Sequence, residues 1–124
     1  MVKILVDLAR SPHVSLSRQD AIRLLSELAS IRFTRDLEEA LRIVRNFEEY
    51  LRYSRRKFEE YINIPKDPRD VLAGRVFIHR VRLFVENSEE MVEIVFDRRV
   101  SLDVITSVLR NLGFSEIVVE EQKV

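Results

Sequence analysis

The chain has 124 residues, 46% hydrophobic and 34% charged, with Lys+Arg and Asp+Glu both at 21 and a net charge of +0. It is too apolar for a disordered chain, too charged for a membrane-embedded one, and carries no general electrostatic pull toward nucleic acid or anionic lipid. With no Cys and two Gly, disulfides, thiolate metal centres, cysteine nucleophiles and glycine-rich phosphate loops are all excluded.

The length suits one domain, 1–124, with a helical part over 17–62 and a sheet from 2–8, 75–86, 91–97 and 115–121. Lys occurs only as Lys3, Lys57, Lys66 and Lys123, so Arg supplies most of the positive charge. Dense charge with few thermolabile residues is a thermophilic pattern. No apolar run reaches the length of a signal core or a membrane span, and the expectation is a soluble cytoplasmic protein.

Val2, Ile4, Val6 and Leu8 fall on one side with Lys3 and Asp7 on the other, an alternation that Leu5 interrupts, and predict a strand over 2–8. Ser11-Pro12-His13 breaks that pattern, which places His13 in an exposed loop. Ser17-Arg18-Gln19-Asp20 reads as a capping box, opening a helix that buries Ile22, Leu25, Leu28 and Ile31. Thr34 is a second N-cap, with Asp36, Glu38 and Glu39 set against the positive end of the next helix.

Beyond Thr34, Leu37, Val44, Leu51 and Phe58 recur every seven residues, and Ala40, Phe47, Ser54 and Tyr61 form the offset series. This spacing predicts one helix reaching Tyr61, roughly 40 Å long at the usual rise per residue. A domain of this size is about 30 Å across, so the far end of the seam would project and need covering. The i,i+4 pairs Glu38–Arg42, Arg45–Glu49, Glu48–Arg52, Arg55–Glu59 and Arg56–Glu60 would lace its solvated faces.

Pro65 and Pro68 mark Asn63–Gly74 as a connection. Strands follow at Val76–Glu86 and Met91–Phe96, joined through Asn87-Ser88-Glu89-Glu90. Ser101 caps a helix burying Leu102, Ile105, Val108, Leu109 and Leu112, Gly113 ends it, and Ile117–Val119 form a last strand. The order β-α-β-β-α-β, with the first helical element enlarged to a helix pair, resembles ferredoxin-like domains. It implies an α+β fold, an antiparallel sheet with helices on one face. That architecture hosts many unrelated functions.

Few residues signal chemistry. Neither His13 nor His79 has a partner at metal-ligand spacing. His79 falls in step with Phe77, Val81 and Leu83, which favours a partly buried structural histidine. The adjacent carboxylates, such as Glu48-Glu49 and Glu59-Glu60, point apart on a helix and have basic neighbours. No catalytic residues, cofactor or metal are therefore assigned.

Two surfaces stand out. If helices cover Val81 and Leu83, the opposite face of that strand carries Val76, Ile78, Arg80, Arg82 and Phe84. Basic side chains beside an aromatic on an open sheet are how RNA-recognition domains hold single strands, while Glu93 or Glu86 could instead pair with these arginines. Arg52, Arg55 and Arg56 form the densest basic helical face, bracketed by Glu48, Glu59 and Glu60. The leading expectation is a non-catalytic assembly or adaptor module, homo-oligomeric or binding a partner protein through Phe47, Leu51, Phe58 and Tyr61. The alternative is a single-stranded RNA or DNA binder using Arg80, Arg82 and Phe84, helped by Arg52, Arg55 and Arg56.

Overall fold

The structure, a computed structural model, describes residues 2–6 and 11–121. Alternation holds for the first strand, β1 (Val2–Val6), and the expected continuation through Asp7 and Leu8 lies outside the described residues. A second strand, β2 (Pro12–Ser17), occupies the segment read as a loop. Its Pro12, Val14 and Leu16 are buried while Ser15 is exposed, the period of two expected for a half-buried strand.

Ser17 caps α1 (Arg18–Ile31) by accepting from the Asp20 N–H at 3.2 Å. The return bond of a capping box is replaced by an ion pair, since the Asp20 carboxylate takes Arg23 at 3.0 Å. The buried stripe is Ala21, Leu24, Leu25 and Leu28. Ile22 is half-buried and Ile31 exposed, so the helix is rotated from the expected face.

The single long helix is not formed. The seam runs through α2 (Arg35–Arg45) and α3 (Phe47–Arg56), which part at Asn46 (φ −106°, ψ 44°). Arg18 accounts for the break: its Nε donates to the Val44 carbonyl at 3.1 Å and its Nη2 to the Arg45 carbonyl at 2.6 Å. These carbonyls would otherwise receive the next turn's N–H groups. Arg18 is itself held by Glu90 at 3.2 Å. Each half then lies within the domain, with Leu37, Ala40, Val44, Phe47, Leu51 and Ser54 all buried. Among the described residues none of the five expected i,i+4 pairs closes, and Arg42 pairs with Glu39.

Thr34 holds the N-cap position of α2 without a side-chain capping bond. The buried Asp36 is put to other use, because its Oδ2 accepts from the Phe77 and Ile78 N–H groups, both at 2.7 Å. That carboxylate ties the start of α2 to the start of β4 (Ile78–Glu86). Between them, the end of α3 is closed just past its Lys57 cap by Phe58 in a left-handed conformation (φ 55°), with Glu59 N–H bonded to the Ser54 carbonyl at 2.9 Å. The short β3 (Ile62–Asn63) and α4 (Pro68–Leu72), capped by Asp67, make up the connection.

Strand β4 pairs with β5 (Glu89–Phe96) across a two-residue turn, Asn87-Ser88, both at positive φ as a type I′ turn requires. The turn is thus two residues shorter than the expected one. A bulge between Ile78 and Arg80 sends His79 outward. His79 is therefore exposed rather than in step with Val81 and Leu83, and Val76 and Ile78 are buried rather than on the open face. Ser101 caps α5 (Leu102–Asn111), accepting from the Val104 N–H at 3.3 Å, and β6 (Ile117–Glu121) closes the chain's described part. Of the expected α5 face, Ile105, Val108 and Leu109 are buried, and Leu102 and Leu112 pack at its margin.

The result is α+β, with a six-stranded sheet in the order β3-β4-β5-β2-β1-β6. This strand order is not the ferredoxin-like one. β2 and β4 run parallel with β5 between them, but β1 intervenes between β2 and β6 and lies parallel to β6, so the sheet is mixed. One sheet face, carrying Val14, Leu16, Val81, Leu83, Val92 and Ile94, forms the core with α1, α2, α3 and α5. The other face carries the site.

Candidate functional site

On the face turned away from the helices, strand register sets Glu93 of β5 directly between Ser15 of β2 and Arg82 of β4. The same alternation places His13 and Arg80 beside it, and Tyr61, just before β3, reaches over the same face. Together with Leu5 and Val95 these residues line a cavity of about 340 Å³.

Glu93 is the centre of the cluster. Its side chain is 7% exposed and its two oxygens are fully engaged. Arg82 Nε donates to Oε1 at 2.9 Å, Tyr61 donates its hydroxyl at 3.1 and 2.8 Å, and His13 Nδ1 lies 3.4 Å from Oε2. Burial alone would raise the Glu93 pKa. The hydrogen bonds from His13, Tyr61 and Arg82, with the Arg82 charge, outweigh it and hold the carboxyl at about 2. Tyr61 is pushed the other way: burial first, then its bond to the Glu93 carboxylate, raises its pKa above the usual phenol value.

The arginines are stacked on aromatic rings. The Arg80 guanidinium lies 4.1 Å from the Tyr61 ring centre, and that of Arg82 lies 4.2 Å from Phe84. Arg82 is balanced by Glu93, with Glu60 at 4.0 Å. Arg80 has no ion pair and no side-chain hydrogen bond among the described residues, and its Nε is buried without an acceptor.

The expected site residues divide. Arg80, Arg82 and Phe84 share one face, as alternation along the strand required. Arg52, Arg55 and Arg56 are exposed on α3 and line, with Glu49, a separate groove of about 470 Å³ that shares no residue with the cavity. Tyr61 leaves the helical seam and joins the sheet site, while Phe47 and Leu51 are buried and Phe58 is 95% exposed. His13, read as an exposed loop residue, is a half-buried partner of Glu93 instead. Sequence reasoning missed His13, Ser15 and Tyr61 as site residues. The alternation of Pro12, Val14 and Leu16 with polar neighbours was the available signal for the first two.

An ionised carboxylate with a pKa of about 2 is a poor general base and no acid near neutrality, and Tyr61 is shifted away from neutrality too. Among the described residues no cluster of three or more His, Asp or Glu could hold a metal ion, and no helix is long and apolar enough to cross a membrane. No family model, curated protein or solved structure matches the chain.

Proposed function

We propose that the protein is a non-catalytic binding module whose open sheet face engages single-stranded RNA or DNA. The observation that carries this reading is the pair of guanidinium–aromatic stacks, Arg80 on Tyr61 and Arg82 on Phe84, side by side on a face that the helices leave uncovered. A guanidinium held over a ring offers a face for an unpaired base and a charge for its phosphate. Glu93 fixes Arg82 in place, so the platform is ordered before any ligand arrives. The reading is tested by fluorescence anisotropy of labelled, mixed-sequence single-stranded RNA at low and physiological salt. Micromolar binding that weakens with salt is expected, and no binding even at low salt overturns it.

A second reading, self-assembly through the helical part, is supported by Phe58 and Tyr53, at 95% and 41% exposure. With Phe47 and Leu51 inside the core, an interface between copies would use these two rings rather than the whole seam. Light scattering on the purified protein tests it. A dimer that Phe58→Glu converts to monomer supports it, and a wild-type monomer at high concentration removes it.

A further inference from the structure

We propose that the cavity on the open sheet face is a subsite for a single phosphate group, gripped by Arg80 with Ser15 and Arg82. The inference rests on the strand-binding reading and names which part of the ligand enters the cavity. Three observations carry it.

Charge comes first. Glu93 is ionised and both its oxygens are taken, so it cancels Arg82 and accepts nothing further. Arg80 stands beside it with no counter-ion among the described residues and a buried Nε that lacks an acceptor there. A buried donor left unmatched is costly in a cluster where the neighbouring groups are paired. Among the residues that line the cavity, Arg80 is thus the cation without a carboxylate of its own, with Glu60 outside the lining at 4.0 Å from Arg82, and its planar fork suits one oxyanion.

Size and shape agree. About 340 Å³ is ample for a phosphate group with part of its sugar, and lies at the small end of ligand-binding cavities. The lining divides by chemistry: Leu5 and Val95 supply apolar walls, the two guanidinium groups supply N–H donors, and Ser15, across Glu93 from Arg82, supplies a hydroxyl.

The aromatic faces decide between base and phosphate. Tyr61 is already covered by Arg80, and its hydroxyl is spent on Glu93. The other ring that lines the cavity is the His13 imidazole, tied through Nδ1 to Glu93 at 3.4 Å, and N–H and O–H donors are at hand. The base belongs outside, on the Arg82–Phe84 column, with the phosphate within.

The test is an NMR titration of the wild-type protein that follows the arginine Nε–H signals. The probes are inorganic phosphate, a nucleoside 5′-monophosphate and a short single-stranded RNA. A saturable, millimolar shift of the Arg80 signal by inorganic phosphate, with the exposed Arg69 unmoved, supports the proposal. Arg80→Lys, which keeps the charge and loses the fork, is expected to weaken that binding about tenfold. No Arg80 shift, or an equal shift at Arg69, overturns it. If phosphate shifts Arg80 but the strand does not bind, the subsite stands, its source is a free phosphate compound, and the strand-binding reading falls. If the strand binds without moving Arg80, the strand-binding reading stands and the subsite falls.

Discussion

Replacing Glu93 with Gln removes one charge from the centre of the sheet face while keeping its shape. In the native protein the carboxyl is held from an ordinary 4.5 down to about 2 by Tyr61, His13 and Arg82. That displacement corresponds to about 3 kcal/mol of stability supplied by the ionised form. Truncating one partner of a buried charge pair costs a similar amount, because Arg82 would be left with only the exposed Glu60 at 4.0 Å. We therefore expect Glu93→Gln to lose about 3 kcal/mol near neutral pH, read from urea unfolding. The sign with pH follows from the depressed pKa. Below about 4.5 the unfolded chain takes up a proton that the native protein refuses, so the wild-type advantage shrinks as the pH falls toward 2. A loss under about 1 kcal/mol at neutral pH, or a gap unchanged down to low pH, would refute the picture of a fully engaged carboxylate.

Three further outcomes follow from other parts of the fold. Asp36→Ala strips the acceptor from two buried backbone N–H groups at 2.7 Å and should cost about 2–4 kcal/mol; a loss below about 1 kcal/mol would show that this link between α2 and β4 is dispensable. Phe58→Gly relieves a left-handed backbone at a wholly exposed side chain and should stabilise by about 0.5–1 kcal/mol, measured by thermal unfolding; a lower Tm would mean that the ring contributes to folding. The Arg-rich, cysteine-free composition leads us to expect a Tm above about 65 °C, and a mid-range mesophilic Tm would remove the thermophilic reading.

What the sequence disclosed was local. The Ser17 and Ser101 caps, the apolar faces of α5 and the β4–β5 hairpin each depend on residues within a few positions, and all were legible. The register that sets Arg82 opposite Glu93 was not, because it follows from a two-residue turn where the sequence reading expected four. What stayed hidden depended on distant partners. The break at Asn46 is made by Arg18, 27 residues before Arg45, which takes carbonyls that the seven-residue pattern assigns to helix. His79 left its expected face because of a bulge between Ile78 and Arg80, which turns Ile78 inward in its place. Pro12 disguised β2 as a loop, and with β2 went the strand order and the partnership of His13 with Glu93. Tyr61 matched the seam's spacing and could be reassigned only once the helix was seen to stop at Arg56.

The most direct test of the sheet face as a nucleic-acid site compares wild type with Arg80→Ala in anisotropy titrations of single-stranded RNA across a range of salt. Arg80 is the suitable choice because its loss leaves Glu93 paired. The account predicts micromolar binding by wild type, with Arg80→Ala weaker and its salt slope lower by about one. Equal affinity and equal slope for the two proteins, or no binding by either at low salt, would contradict it.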